Sequence, residues 1–356
     1  MVSVSTSPGE ALLVASRGTG PTHGLHRWRQ TTDGWIGRQI SAPVRQLSAL
    51  ALHPTLPVVY GTSGMATEGM IHGWRLNGDT ATSLDDKSSE GAEPCHLVVD
   101  PSGRLLVVTN YTTSTLGVQS LAADGSFDGP TELIKLNGGG PDSDRQDDAH
   151  PHQVIFHNGV LFVVDLGADL LREYTIDPRQ RGAPALVRGR TTAVPAGTGP
   201  RHAVILPDGR FAISGELGCN LVVGRPGDAS DAWANVPSTT RVGPAKTRHT
   251  RNYPGDIARS MDGRFVYFAN RGHDTISTFD VSGPVPKLVS ELDSNVAWPQ
   301  HLLVRPDHLL IAGWDSSCVM AMPLNAGRPG PAELIPARAC SKRACASGLL
   351  LKTGAI

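Results

Sequence analysis

Apolar residues along this chain come in short runs of about four to eight, rich in Val, Ile, Leu and Phe, separated by polar turn clusters such as PSG, PDG and MDG. No long stretch sustains a 3.6-residue period, so the pattern predicts strands and hairpins rather than helices. One arrangement recurs: strand, tight turn, strand, short polar loop, strand. It reads through HLVVDPSGRLLVVTNYTTSTLGVQSL from His96, HQVIFHNGVLFVVDLGADLLREYTI from His152 and HAVILPDGRFAISGELGCNLVV from His202. It reads again through DIARSMDGRFVYFANRGHDTISTFDV from Asp256 and HLLVRPDHLLIAGWDSSCVMAMPL from His301. An earlier copy runs from Ala49, and GEALLVASRGTGPTHGLHRWRQ near the N-terminus reads as a copy that lacks its first strand, which makes seven.

The copies recur at roughly 45 to 57 residues, the period of β-propeller blades. The expected fold is therefore all-β: a seven-bladed β-propeller of four-stranded antiparallel sheets, forming a single domain over residues 1–356 with an atypical tail at 336–356. The polar insertion NGGGPDSDRQDDAHP from Asn137, before the fourth blade, has no apolar periodicity and reads either as a functional loop or as a solvated linker.

Repeat phase predicts which residues meet. Aligning the copies on their turns puts Ala49, His96, His152, His202, Asp256 and His301 at one phase, before the innermost strand of successive blades, as a ring at one end of the channel. The second strand returns antiparallel to the same level. That adds Asn110, Leu166, Glu216, Asn270 and Trp314, with Arg271 after Asn270 and Arg201 before His202. His152, Arg201, Glu216 and Arg271 are thereby expected at one opening. Two arginines there would hold carboxylate or phosphate oxygens and stabilise an oxyanion, while a His and a Glu would exchange protons. The competing expectation is that Glu216 merely pairs with an arginine to satisfy buried charge. Arg201, Arg271, His96, His202, Asp256 and His301 are the candidate substrate-binding residues.

Composition narrows the partner. The 39% hydrophobic content suffices for a sizeable core, and 18% charged residues is low for a disordered or coiled-coil chain. A net charge of -1 supplies no basic field for nucleic acid or an anionic membrane, which leaves a small molecule as the expected partner. No run reaches the apolar length of a membrane span, no secretory signal is evident, and the five cysteines are scattered outside CxxC pairs, so a cytoplasmic location is expected. His150 with His152, Asp256 with Glu216, and Cys340 with Cys345 are weak metal candidates, and none is expected to act as a metal site. Nucleotide, dinucleotide and serine-hydrolase motifs are absent.

The motifs PCHLVVDPSGRLLVVTNY, HPHQVIF with VVDLGADLL, GPRHAVILPDGRFA with GELG, and GRFVYFANRGHDTI resemble those of the lactonase family of seven-bladed propellers over roughly residues 45 to 325. That family includes a bacterial type of 6-phosphogluconolactonase and the fungal carboxy-cis,cis-muconate lactonizing enzyme. Carried over by motif, the resemblance implies a catalytic set of His152 in HPHQ, Arg201 in GPRH, Glu216 in GELG and Arg271 in NRGHD, with no metal or organic cofactor. Two departures stand out: Asp256 in PGDI replaces a glutamate of many relatives, and the C-terminal tail does not resemble their short final strand, so Glu10 to Ser16 is expected to carry more of the ring closure. The implied activity is hydrolysis of an anionic lactone. Cycloisomerisation of a muconate and a non-catalytic binding propeller remain the alternatives at this level.

Overall fold

The computed structural model describes residues 11–31, 34–177, 186–241, 251–334, 337–338 and 349–354. Within them the chain forms seven antiparallel sheets arranged as a seven-bladed β-propeller, with one 3-10 turn at Ser230–Ala232 and no α-helix. No helix among the described residues is long and apolar enough to cross a membrane. Blades two to seven occupy residues 47–88, 94–135, 151–193, 200–237, 253–293 and 299–334 in chain order.

In each of these blades the first strand lies innermost and the later ones follow outward. The inner strands Leu47–Leu52, Pro94–Val99, Pro151–His157, Pro200–Ile205, Tyr253–Arg259 and Pro299–Val304 stand side by side around the axis. The seventh inner place belongs to Leu349–Gly354, which contacts both Pro299–Val304 and Leu47–Leu52. It pairs antiparallel with Ala11–Ser16, and Gly24–Thr31 and Gly34–Gln39 complete blade one outward. The N-terminal copy that lacks a first strand thus receives one from the atypical tail. Ala11–Ser16 contributes to closure as the partner of that strand; Glu10 lies outside the described residues. Two blades depart from four uniform strands. Ala337–Arg338 adds a parallel pair beside Gly34–Gln39, and Cys318–Asn325 pairs with both Arg328–Pro329 and Glu333–Leu334.

The core follows from strand alternation. Second strands have a neighbouring blade on each face, so Leu105–Asn110, Phe265–Arg271 and His308–Gly313 are buried at every position. Outer strands face water and alternate or are exposed, as in Thr80–Ser88. Successive residues of one second strand serve opposite junctions: Leu12 and Val14 pack on Leu310 and Ala312 of blade seven, while Leu13 and Ala15 pack on Leu50 and Val59 of blade two. Seven apolar clusters result, one per blade junction, and the ring is apolar-sealed throughout. At about 1.5–3 kcal/mol for each fully buried Val, Leu, Ile or Phe, these junctions hold the blades together without a central core.

Candidate active site

Strand pairing, not sequence counting, sets which side chains face one another. Pro94, Pro151, Pro200, Pro254 and Pro299 stand opposite Asn110, Asp165, Gly215, Asn270 and Gly313. Each inner strand bulges immediately after its proline, and the bulged residues are Cys95, His152, Arg201, Gly255 with Asp256, and Gln300, with Ser48 their counterpart in blade two. A bulge places two residues against one and re-aims a side chain. His152 is therefore in phase with Arg201, and Gln153 occupies the place of His96, His202 and His301. The expected single ring of histidines divides into two layers. Counting back from the turns slips by one in blade four because its hairpin closes on the two residues Asn158 and Gly159, against five or six in the neighbouring blades.

The second predicted ring shifts in the same way. Asn110 and Asn270 are sealed inside the sheets, Asn110 donating to Ser89 O and Asn270 to Thr275 and Ser277 hydroxyls. The residues one place beyond Ser16, Ser63, Asn110, Asp165, Gly215, Asn270 and Gly313, namely Arg17, Gly64, Tyr111, Leu166, Glu216, Arg271 and Trp314, form the true ring. All of these except Leu166, together with the bulged Ser48, Cys95, His152, Arg201 and Gln300, line a cavity of about 450 Å³ at this end of the channel. Glu93, Pro94, Arg145 and Trp298 complete its wall.

The cavity centres on a buried carboxylate. Arg271 Nη2 donates to Glu216 Oε2 at 2.5 Å, Arg145 Nη2 donates to Oε1 at 2.8 Å, and Arg201 Nε lies 3.1 Å from Oε2. Burial alone would raise the Glu216 pKa, but the guanidiniums of Arg271, Arg201 and Arg145 outweigh it and hold it at about 2. Burial, with Arg201 beside it, lowers Arg271 to about 10. Its Nε donates to Tyr253 O at 2.9 Å and its guanidinium stacks 5.0 Å from the Trp298 ring centroid. His152 stands against Tyr111 and His202, ring centroids 5.7 and 5.2 Å away. Burial, then Arg201, His202 and Arg271, push its pKa well below 6.5, so it is a neutral imidazole at neutral pH. His152 Nδ1 and Arg201 Nη1 are sealed from solvent without a hydrogen-bond partner in the protein.

His96, His202, Asp256 and His301 do not line the cavity. They form the layer beneath it and tie inner strands together. Asp256 accepts from the Ile257 and Leu302 amides and lies 2.7 Å from both His202 Nδ1 and His301 Nδ1. Its carboxylate stays ionised despite burial because His301 and His202 hold its pKa well below 3.8. The Val154 amide donates to His96 Nδ1, and the Ala203 amide to Gln153 Oε1. The shorter Asp256 is thus fully engaged between blades five and seven. His150 stacks on Tyr111, 4.5 Å between ring centroids, with Nδ1 2.9 Å from Tyr111 O. Among the described residues no group of three or more His, Cys, Asp or Glu is disposed to hold a metal ion; Cys340 and Cys345 lie outside them.

Sequence reasoning did not find Arg145, Tyr111 or Arg17. Arg145 comes from the polar insertion after Asn137, which folds over the cavity: Gln146 donates to Leu166 O at 2.9 Å and accepts from the Asp142 amide, and Arg145 also reaches Tyr111 Oη at 3.1 Å. The insertion is therefore part of the site. Four guanidiniums, Arg17, Arg145, Arg201 and Arg271, face two carboxylates, Glu93 and Glu216, so the cavity carries a surplus of two positive charges.

Residues 11–330 match the family described as "Lactonase, 7-bladed beta-propeller". The chain is 26% identical to a 6-phosphogluconolactonase of Bacillus subtilis over 277 residues, 75% of this chain and 76% of that protein. It is 30% identical to a 6-phosphogluconolactonase of Pectobacterium carotovorum over 260 residues, 72% of this chain and 74% of that protein. The solved structure of a periplasmic gluconolactonase of Pseudomonas aeruginosa shares the fold with a TM-score of 0.76 at 22% identity, covering 96% of this chain and 98% of that one.

Proposed function

The chain belongs to the seven-bladed β-propeller lactonase family, and from that premise we propose that it hydrolyses an anionic sugar or organic-acid lactone, with 6-phosphogluconolactone as the leading candidate. The observation that carries this reading is a neutral His152 beside a triad of arginines assembled on Glu216, in a cavity with surplus positive charge. The lactone carbonyl oxygen would accept from Arg201 Nη1, a buried donor without a protein partner, and its developing negative charge would be stabilised there. Water attacks the carbonyl carbon while His152 takes one of its protons through Nε2, since Nδ1 is sealed off. The bond from that carbon to the ring oxygen breaks, the imidazolium returns the proton to the leaving alkoxide, and the product is the open hydroxy acid.

Glu216 does not carry protons in this scheme. With a pKa of about 2 it stays a carboxylate and holds the three guanidiniums in place. Cys95, also in the wall, is no rival nucleophile: burial raises its pKa to about 11, so it remains a thiol. Cytoplasmic residence belongs to the same proposal and is supported by the free thiols of Cys95 and Cys219; fractionation of the native host is its check.

The decisive assay offers purified protein 6-phosphogluconolactone, gluconolactone and 3-carboxymuconate. Turnover of a lactone is expected; His152→Ala should cut kcat by roughly 10² to 10⁴, as for loss of a general base, and Glu216→Gln by roughly 10² to 10³, through displacement of the arginine that stabilises the oxyanion. Lactonase activity undiminished in both variants overturns the assignment, and turnover of the muconate alone replaces it with cycloisomerisation.

A further inference from the structure

Arg17 stands out among the cavity arginines. It occurs in Ala15-Ser16-Arg17-Gly18, the counterpart in blade one of Ala269-Asn270-Arg271-Gly272 in blade six; Arg17 directly follows its second strand and Arg271 ends its own, each one place beyond a residue paired with the inner strand. Their supports are alike. The Arg17 guanidinium lies 4.8 Å from the Trp314 ring centroid and its Nε donates to Gln46 Oε1 at 2.7 Å. Arg271 lies 5.0 Å from the Trp298 ring centroid and its Nη1 donates to Gln300 Oε1 at 3.2 Å. The difference is charge. Arg271 is neutralised by Glu216, whereas no carboxylate of the described residues lies within ion-pair distance of Arg17, and Glu93 acts on it only through longer-range attraction.

The stack on Trp314 and the bond at Nε fix the plane of Arg17, and its two Nη groups donate to no described residue. That is a pre-oriented fork for a planar pair of anionic oxygens. In a seven-membered ring, blade one lies across the axis from blades four and five, which supply His152, Arg201 and Glu216. A ligand bound by both walls must span the cavity.

We propose that Arg17 is a second anion-binding residue of this cavity and selects lactones carrying a phosphate monoester remote from the reacting carbonyl. This rests on the lactonase reading given above. A phosphate monoester carries about -1.5 to -2 at neutral pH, which matches the surplus of two positive charges in the wall. The reacting carbonyl then sits against Arg201 and His152, and the phosphate sits against the Nη edge of Arg17.

Steady-state kinetics of Arg17→Gln on 6-phosphogluconolactone and on neutral gluconolactone test this. The expected result is a KM raised about tenfold to a hundredfold for the phosphorylated lactone, the range for hydrogen bonds to a charged group. kcat should stay within about twofold, and kinetics on the neutral lactone should be unchanged. Arg17→Lys, which keeps the charge without the fork, should give an intermediate KM and guards against a misfolded first variant. Equal losses on both lactones, or no change on the phosphorylated one, overturn the proposal. Calorimetric titration with 6-phosphogluconate and with gluconate separates this inference from the lactonase reading, since it needs no turnover. Preference for the phosphorylated acid, lost in Arg17→Gln, supports Arg17 even in a protein that hydrolyses neither lactone; equal affinity for both acids in the unaltered protein refutes it.

Discussion

At the level of single residues, the site turns on two groups whose pKa values are both pushed down, which leaves Glu216 a carboxylate and His152 a neutral imidazole able to accept a proton. Glu216 is held at about 2 by three arginines that outweigh its burial, while burial, with Arg201, His202 and Arg271 beside it, keeps His152 neutral. The acid limb of kcat/KM, which reports the free enzyme, should therefore lie well below the ordinary histidine value of 6.5. A rate profile from pH 8 down to about 4 checks this, and a limb centred at 6.5 would rule His152 out as the proposed base. His152, Arg201, Glu216 and Arg271 were legible in the sequence because HPHQ, GPRH, GELG and NRGHD sit beside recognisable turns. Their phase was not, since a bulge leaves no mark in residue order. Arg145 was hidden in a polar loop whose path nothing in its sequence announces, and Arg17 in a blade copy too degenerate to align.

Among the elements, second strands were the most readable, being apolar on both faces, and outer strands the least, because exposed positions accept almost any residue. Substitution in a second strand should act on the junction it serves. Ile311→Ala, in the cluster between blades six and seven, is expected to cost about 2–5 kcal/mol in denaturant unfolding, through lost burial and the cavity left behind. Loops between second and third strands carry a different device. Asp169 sits there at φ 52° and its carboxylate accepts the Gly197 and Gly199 amides, both at 2.7 Å, so it fixes the approach to Arg201. Asp274 accepts the Trp298 amide at 3.0 Å in the corresponding loop of blade six. Asp169→Ala should lower stability by about 1.5–3 kcal/mol and reduce kcat through displacement of Arg201. Loss of stability with kcat intact would confine Asp169 to a purely scaffolding role.

Across the whole molecule, buried ionisable groups link stability to pH on the acid side. Burial, then Arg201, lower His202 to about 4 in spite of Asp256, against an ordinary 6.5. The unfolded chain takes up this proton first, so the contribution of His202 is complete above 6.5 and is lost as pH falls towards 4. Glu216 follows with a contribution present above 4.5 and lost towards 2. Thermal unfolding should accordingly show a Tm that declines continuously from pH 6.5 to 4, and a constant Tm over that window would contradict the buried, neutral state of His202. The number of blades was legible because the repeat is regular, while the manner of closure was not, since the tail resembles no other inner strand. Leu349–Gly354 nonetheless completes the sheet begun by Ala11–Ser16, more than three hundred residues earlier. A ribosome releases the second long before it makes the first, so throughout synthesis the opening sheet waits with one unpaired margin turned to the axis. A nascent chain stalled short of Leu349 would present that margin to any passing strand, so the interval before Leu349 emerges is when shielding of that edge by a chaperone is expected to matter most.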